Sequence, residues 1–310
     1  GYGIAYFYSG LPLASCVTDM KNFCKLMDKY GQKMMTLANV PLYQCVLNLT
    51  GQSANILDMS HGEACDYRTK LGWENRVGEQ AEWSYHMQVA FYCEEFKLAT
   101  QLYDKLEPVY AGAARAMPIF HSRVFFFALI CMHNAKTSSR KRKHRTEAKK
   151  HLDVVRGWVL EQRAINVVHK LMILDAEMMT FDKKSDDELI VAFDKAIGSA
   201  KKAGFLQDAA VAAHLASRAV SKQCTSLDYL RRARALYLSW DAKGVIDHLD
   251  SSESTRMLAV EAVPMSGCTS ASYRSRQRFD DTVMLEHESV EFRNGGLTKS
   301  GSISKRGSFT

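Results

Sequence analysis

SDDELIVAFDKAIGSAKKAGFLQDAAVAAHLASRAVSKQCTSLDYLRRARALYLSWDAKGVIDHLD, residues 185–250, is the stretch whose reading decides the fold class. Leu189, Phe193, Ala196, Ile197 and Ala200 recur at steps of three and four, which places them on one face of a helix. Gly204 stops that helix, and Gln207-Asp208 opens a second one with Ala212, Leu215, Ala216 and Ala219 inward. Leu227, Leu230, Ala233, Leu236 and Trp240 form a third apolar stripe, with Trp240 read as a core plug at its end. Alanines opposite Phe, Leu and Trp let antiparallel helices approach closely. The stretch therefore predicts stacked helix pairs, and it holds no catalytic constellation.

The same pattern extends upstream. Residues 1–10 read as the end of a helix whose beginning is missing, so the chain is expected to be a fragment that starts inside a repeat. Thr18 is placed to cap a helix over 19–37 with Phe23, Leu26, Met27, Tyr30 and Met34 inward, and Pro41 to open a short helix closed by Gly51. Residues 52–78 lose periodicity and read as a long connection with a turn of helix near 62–67. Helices follow over 79–92 and 95–110, the second with Phe96, Ala99, Leu102, Tyr103 and Leu106 on one side. Pro118 starts a helix apolar around most of its girth, which marks a central position. A basic loop then precedes a pair over 146–162 and 163–181. About ten helices joined mostly by short turns make an all-α class, here an array of antiparallel pairs. Residues 1–250 form that domain; 251–310, rich in Ser, Arg, Thr and Gly with thin apolar content, read as a disordered tail.

Charge and cysteine usage narrow the partners. The net charge of +7 is local: residues 136–150 hold eight Lys or Arg against one Glu, and the remainder is near neutral. A solvated insertion is the leading reading of that loop. A patch for nuclear import or an acidic partner through Arg140, Lys141, Arg142 and Lys143 comes next. Nucleic acid ranks last because no aromatic residues interleave for stacking. The 8 cysteines show no CxxC spacing and most fall on apolar faces, which points to a reduced, cytoplasmic setting, with the nucleus open through the basic loop. No apolar run reaches the roughly 18 residues of a membrane span, and no membrane partner is expected.

The side chains capable of chemistry have structural readings that outrank their functional ones. His121 at the start of an apolar helix reads as packed, and Cys131-Met132-His133 as a helix end; neither has ligands at metal spacing. Asp186, Asp187 and Glu188 suit a helix N-terminus. No cofactor, metal or catalytic residue is assigned. Ser275 and Ser308, each near Arg or Lys, match basophilic phosphorylation sites.

Two resemblances follow from particular residues. Tyr103-Asp104-Lys105-Leu106 and Phe193-Asp194-Lys195-Ala196 occupy the same place in a second helix, preceded by Ala99 and Leu189, a spacing similar to that of tetratricopeptide repeats. The ordered segments Ala5-Tyr6-Phe7-Tyr8-Ser9-Gly10-Leu11-Pro12-Leu13, Gln44-Cys45-Val46-Leu47-Asn48-Leu49-Thr50-Gly51, Phe120-His121-Ser122 and Ala203-Gly204-Phe205-Leu206-Gln207-Asp208 carry the second. With Tyr229-Leu230, Ala233-Arg234, Tyr237 and Trp240, they resemble the helical-repeat region of large signalling proteins. There the region follows an AAA-type (STAND-like) ATPase and accompanies kinase modules. The resemblance implies a right-handed superhelical, tetratricopeptide-like solenoid. It also implies a non-enzymatic module whose partners are proteins or the neighbouring ATPase and kinase domains. Asp241 stands where that family has Gly, Ala213-His214 interrupts an acidic run, and no GxxxxGK[ST] loop is present. A free-standing adaptor for acidic partners or nucleic acid is the alternative.

Overall fold

Helix ends, more than helix faces, explain how this chain is put together. The computed structural model describes residues 1–71, 76–112, 118–182 and 184–251. Thirteen α-helices occupy them, with no strand among the described residues: α1 (Tyr2–Tyr8), α2 (Leu13–Lys29), α3 (Lys33–Leu49), α4 (Glu63–Leu71), α5 (Arg76–Tyr92), α6 (Phe96–Leu106), α7 (Pro118–Thr137), α8 (Lys141–Leu160), α9 (Val168–Met179), α10 (Asp186–Lys202), α11 (Leu206–Ala219), α12 (Gln223–Ser239) and α13 (Lys243–Ser251). Short 3₁₀ turns follow α6 and flank α9. The expected tail, with Ser275 and Ser308, lies outside the described residues.

Consecutive helices pack as pairs, and α3, α5, α7, α9 and α11 each also touch the next in that series. The apolar stripes at the C-terminal end fall inward as expected: Leu189, Phe193, Ala196, Ile197, Ala200, Leu230, Ala233 and Trp240 are all buried. Helix α7 is buried around its girth, with Phe125, Phe126 and Phe127 in a single continuous core. Ala99 and Tyr103 of α6 are buried at the same four-residue spacing as Leu189 and Phe193 of α10.

The turns after α2, α3, α5, α10 and α12 repeat one geometry. Gly31, Gly51, Glu94, Gly204 and Asp241 have φ of 65°, 77°, 59°, 84° and 64°. In each case the next residue returns its N–H to a carbonyl five residues back, as Gln32 does to Met27 and Ala242 to Tyr237. These are Schellman closures, which satisfy the last carbonyls of a helix and turn the chain sharply into its partner. Asp241 thus takes a left-handed conformation where glycine would be cheaper.

The reason for Asp241 lies at the other end of the chain. Helix α2 begins at Pro12-Leu13, with no side-chain cap of its own. Leu13 donates its N–H to the Trp240 carbonyl (3.1 Å), and Ala14 donates to Asp241 Oδ2 (3.1 Å), 227 residues away in sequence. Helix α1 adds to the junction. Gln207 Nε2 donates to the Tyr8 carbonyl (3.2 Å), while Phe7 packs on Trp240 and Tyr85 with centroids 5.8 Å from each. Helix α1 also touches α3 and α7, and α13 touches α3. A series of repeats that meet only their neighbours does not make these contacts; here the last turn closes on the first helices.

Three expectations are corrected. The helix read over 19–37 is two: Gly31 ends α2, α3 starts at Lys33, and Pro41 lies inside α3. The stripe Phe23, Leu26, Tyr30 and Met34 read as inward is exposed; Phe23 meets only the edge of Tyr2 (5.5 Å between centroids), and the Gly31 turn itself faces open space. The basic loop is largely helix: α7 runs to Thr137 and α8 starts at Lys141, anchored by buried Ala148, His151, Leu152, Val155 and Trp158. Lys and Arg are good helix formers, so a dense charge run here is a solvated helix face.

Two glycines with the same sign of φ have different surroundings. A Cβ at Gly31 would meet nothing within 4 Å, whereas one at Gly10 (φ 79°) would collide with the Gly204 carbonyl oxygen and lie 2.8 Å from Leu206 N. Gly31→Ala is expected to cost about 1 kcal/mol, the left-handed penalty alone. Gly10→Ala should cost about 3 kcal/mol, because overpacking against backbone is added. Equal losses in urea-unfolding midpoints would show that the Gly10 contact is not tight.

Candidate functional site

The most unusual chemistry lies where α9 meets the start of α11. Asp208 is buried, and its Oδ2 lies 2.7 Å from His169 Nε2 and 2.6 Å from Lys170 Nζ. Lys170 is also buried, with its ammonium 4.6 Å from the centre of the Phe125 ring. His169 stacks on Phe205 at 4.2 Å between centroids. Burial pushes the Asp208 carboxyl up, but Lys170 and His169 outweigh it and hold the group at about 2. Burial lowers His169 below its ordinary value, against the pull of Asp208, so its imidazole is neutral. The carboxylate is fixed by a cation and a neutral donor, while His169 Nδ1 is buried without a partner. That arrangement locks α9 to α11 through the Ala203–Asp208 turn residues; Gly204 makes the turn, Phe205 the stack, Gln207 the bond to α1 and Asp208 the ionic contact. Sequence reading took Asp208 only as a helix start. The available signal was His169-Lys170, a polar pair inside the apolar register of Val167, Val168, Leu171 and Leu174.

A second buried polar set ties down the connection after α3. Gln44 Nε2 donates to Asn48 Oδ1 (2.7 Å) and Ser53 Oγ (3.0 Å). Asn48 Nδ2 donates to the carbonyls of Ile56 and Asp58, both at 2.8 Å. These two amides give backbone groups of an irregular segment the partners that they would otherwise lack.

A third group surrounds the left-handed Glu94. His214 Nε2 lies 3.1 Å and Arg218 Nη1 3.5 Å from its Oε1, and Arg218 Nη2 is 3.2 Å from His133 Nδ1. Phe96 stacks on His133 (3.7 Å, 13°) beneath the Arg218 guanidinium. Burial, then Arg218, depresses His133 to about 4. A cleft between Phe91, Val211, Leu215 and Tyr237 has a volume of about 10 Å³, room for about one water molecule.

The basic segment sorts into two groups. Lys136 pairs with Glu177, Lys143 with Glu147 (3.6 Å), Arg145 with Asp182 (3.0 Å) and Lys150 with Glu107 (3.5 Å). Arg140, Lys141, Arg142 and Lys149 are exposed and make no ion pair among the described residues. Three of these open α8, whose first turn holds no acid and whose N-cap offers no side chain. They oppose the positive end of the helix dipole.

The remaining candidates are structural in their surroundings. His121 meets Trp158 edge-on at 4.6 Å. Cys131 and Met132 are buried within α7, which continues to Thr137, so they are not at its end as expected. Asp186 accepts backbone N–H groups of Ser221 and Lys222 before α12, and Ser185 with Glu188 forms a capping box on α10. Six cysteines are free and buried. No helix of the described residues is long and apolar enough to cross a membrane. No protein-family model, curated protein or solved structure matches the chain.

The ionic centre yields a test of stability. Asp208→Asn is expected to cost about 3 kcal/mol, because it strands the buried Lys170 charge. Asp208→Leu combined with Lys170→Met should lose less than Asp208→Asn alone. The pH dependence has a defined sign. Depressed His169 makes stability fall as pH drops below the ordinary histidine value of about 6.5. Depressed Asp208 adds a loss from the ordinary carboxylate range down through about 2. Urea midpoints should lose only the carboxylate part of that slope in Asp208→Asn, since burial keeps His169 depressed; an unchanged carboxylate part would place it elsewhere.

Proposed function

We propose that this chain is a non-catalytic, tetratricopeptide-like helical-repeat module of a signalling protein of the ATPase and kinase type, which presents its surface to a protein partner or to neighbouring domains. The observation that carries the reading is the placement of the residues behind the resemblance. Gly10, Gly204, Gln207, Asp208 and Trp240 stand where helix pairs meet, and Gln44 and Asn48 hold the connection after α3, places where a repeat scaffold needs particular residues. The paired helices, their common Schellman turns and the contacts along α3, α5, α7, α9 and α11 support a superhelical array of the solenoid kind. In this case the array is closed by the contact of α2 with the Trp240 turn. Such a scaffold relays a binding event from pair to pair and across the closing contact.

A second reading draws on one further observation. Arg140, Lys141, Arg142 and Lys149 project from α8 without ion-pair partners, a surface suited to an acidic partner. Electrostatic contacts of that kind set association rate and salt dependence.

Calorimetric titration with MgATP is expected to give no binding heat; a micromolar affinity would overturn the module reading. Binding of a polyglutamate peptide is the test of the second. Its affinity should fall about tenfold or more between low and physiological salt, and should be abolished by Arg140→Glu, Lys141→Glu, Arg142→Glu and Lys143→Glu together. Salt-independent binding would sink it.

A further inference from the structure

The tip of the α2–α3 hairpin combines exposed apolar side chains with a set of exposed lysines. Phe23, Leu26 and Tyr30 follow one another at steps of three and four along the end of α2, and Met34 and Met35 lie in the first turn of α3. They are 38%, 51%, 66%, 60% and 53% exposed. Residues 29–35 are exposed without interruption, and a side chain at Gly31 would meet nothing within 4 Å, so the turn protrudes and lines no groove. Lys25, Lys29 and Lys33 are exposed around it, with the Lys29 ammonium 5.9 Å from the centre of the Tyr30 ring. Between residues 20 and 57 the only acidic residue is Asp28, which is half-buried.

We propose that this tip docks on an anionic lipid surface. A protruding apolar knob fits the boundary between headgroups and acyl chains, which deforms around it, and the flanking ammonium groups reach the lipid phosphates and carboxylates on flexible stems. An acidic peptide would satisfy the lysines yet leave the knob in water. A second copy meeting the same patch across a two-fold axis would set lysines against lysines. The contact is peripheral, distinct from a membrane span, and it stands independently of the module reading.

The experiment uses the full chain with vesicles of phosphatidylcholine, alone or with about 30 mol% phosphatidylserine. Co-sedimentation should show binding to the anionic vesicles about tenfold or more tighter than to neutral ones, weakening with salt. Leu26→Ser, Tyr30→Ser and Met34→Ser together should reduce it about tenfold or more with an unchanged melting temperature, since these residues are exposed. Lys25→Glu, Lys29→Glu and Lys33→Glu should do the same, while Arg140→Glu with Arg142→Glu leaves it within about twofold. The proposal is overturned if the serine variant binds as wild type, or if neither vesicle binds. Concentration-dependent self-association that the serine variant abolishes, without vesicle binding, would assign the tip to a second copy. Polyglutamate binding lost in the Lys25→Glu, Lys29→Glu and Lys33→Glu variant, again without vesicle binding, would assign it to an acidic protein.

Discussion

Two backbone N–H groups at the start of α2 are satisfied by the turn after α12, and the arrangement of the whole helical set depends on that exchange. Leu13 finds the Trp240 carbonyl and Ala14 the Asp241 carboxylate. Leu13 is buried, so its N–H needs such an acceptor, since an orphaned buried donor costs about 1–3 kcal/mol; Ala14 is exposed, and its bond to Asp241 adds a directed contact. Asp241 meets the requirement at the expense of a left-handed backbone, in a position where the same turn elsewhere uses Gly31, Gly51 or Gly204. Trp240, fully enclosed, sits between Phe7 and Tyr92 and fills the space that the junction creates.

The other buried polar groups follow the same logic. Gln44 and Asn48 hold the carbonyls and hydroxyl of an irregular connection; Asp186 holds the N–H groups ahead of α12; Asp208 holds α9 against the α10–α11 turn. Apolar faces specify that helices pair, but many pairings would bury similar area. Polar groups in fixed geometry distinguish among them, because a wrong pairing leaves each one unsatisfied.

The paired-helix plan was legible in residues 185–250 because its apolar stripes, Gly204 and short breaks are local signals. Three features were not. The split at Gly31 was hidden because the stripe through Phe23, Leu26, Tyr30 and Met34 continues across it at helical spacing, and periodicity alone does not report which face a neighbour covers. The start of α8 was hidden by charge, since solvated helix and loop share a composition. The cap of α2 was hidden by distance: nothing near Pro12-Leu13 in sequence announces Asp241. The ionic centre was half legible, in His169-Lys170, but its carboxylate is supplied by another helix. The exposed cations Arg140–Lys143 by residue were visible from sequence; which of their neighbours are neutralised across helices was not.

Closure also changes how such a chain comes apart. An open array of repeats can fray from its ends one pair at a time, because each pair loses only its neighbours. Among the described residues α2 is held by the turn after α12 and α13 touches α3, so neither end of that set is free to fray alone. Joining points 227 residues apart costs about 5 kcal/mol of chain entropy before the contact forms. The junction therefore forms late, once the intervening helices have drawn the ends together, and it opens only when much of the array opens with it. The bond between α2 and the Trp240 turn acts as a clasp that converts a series of small units into one cooperative body.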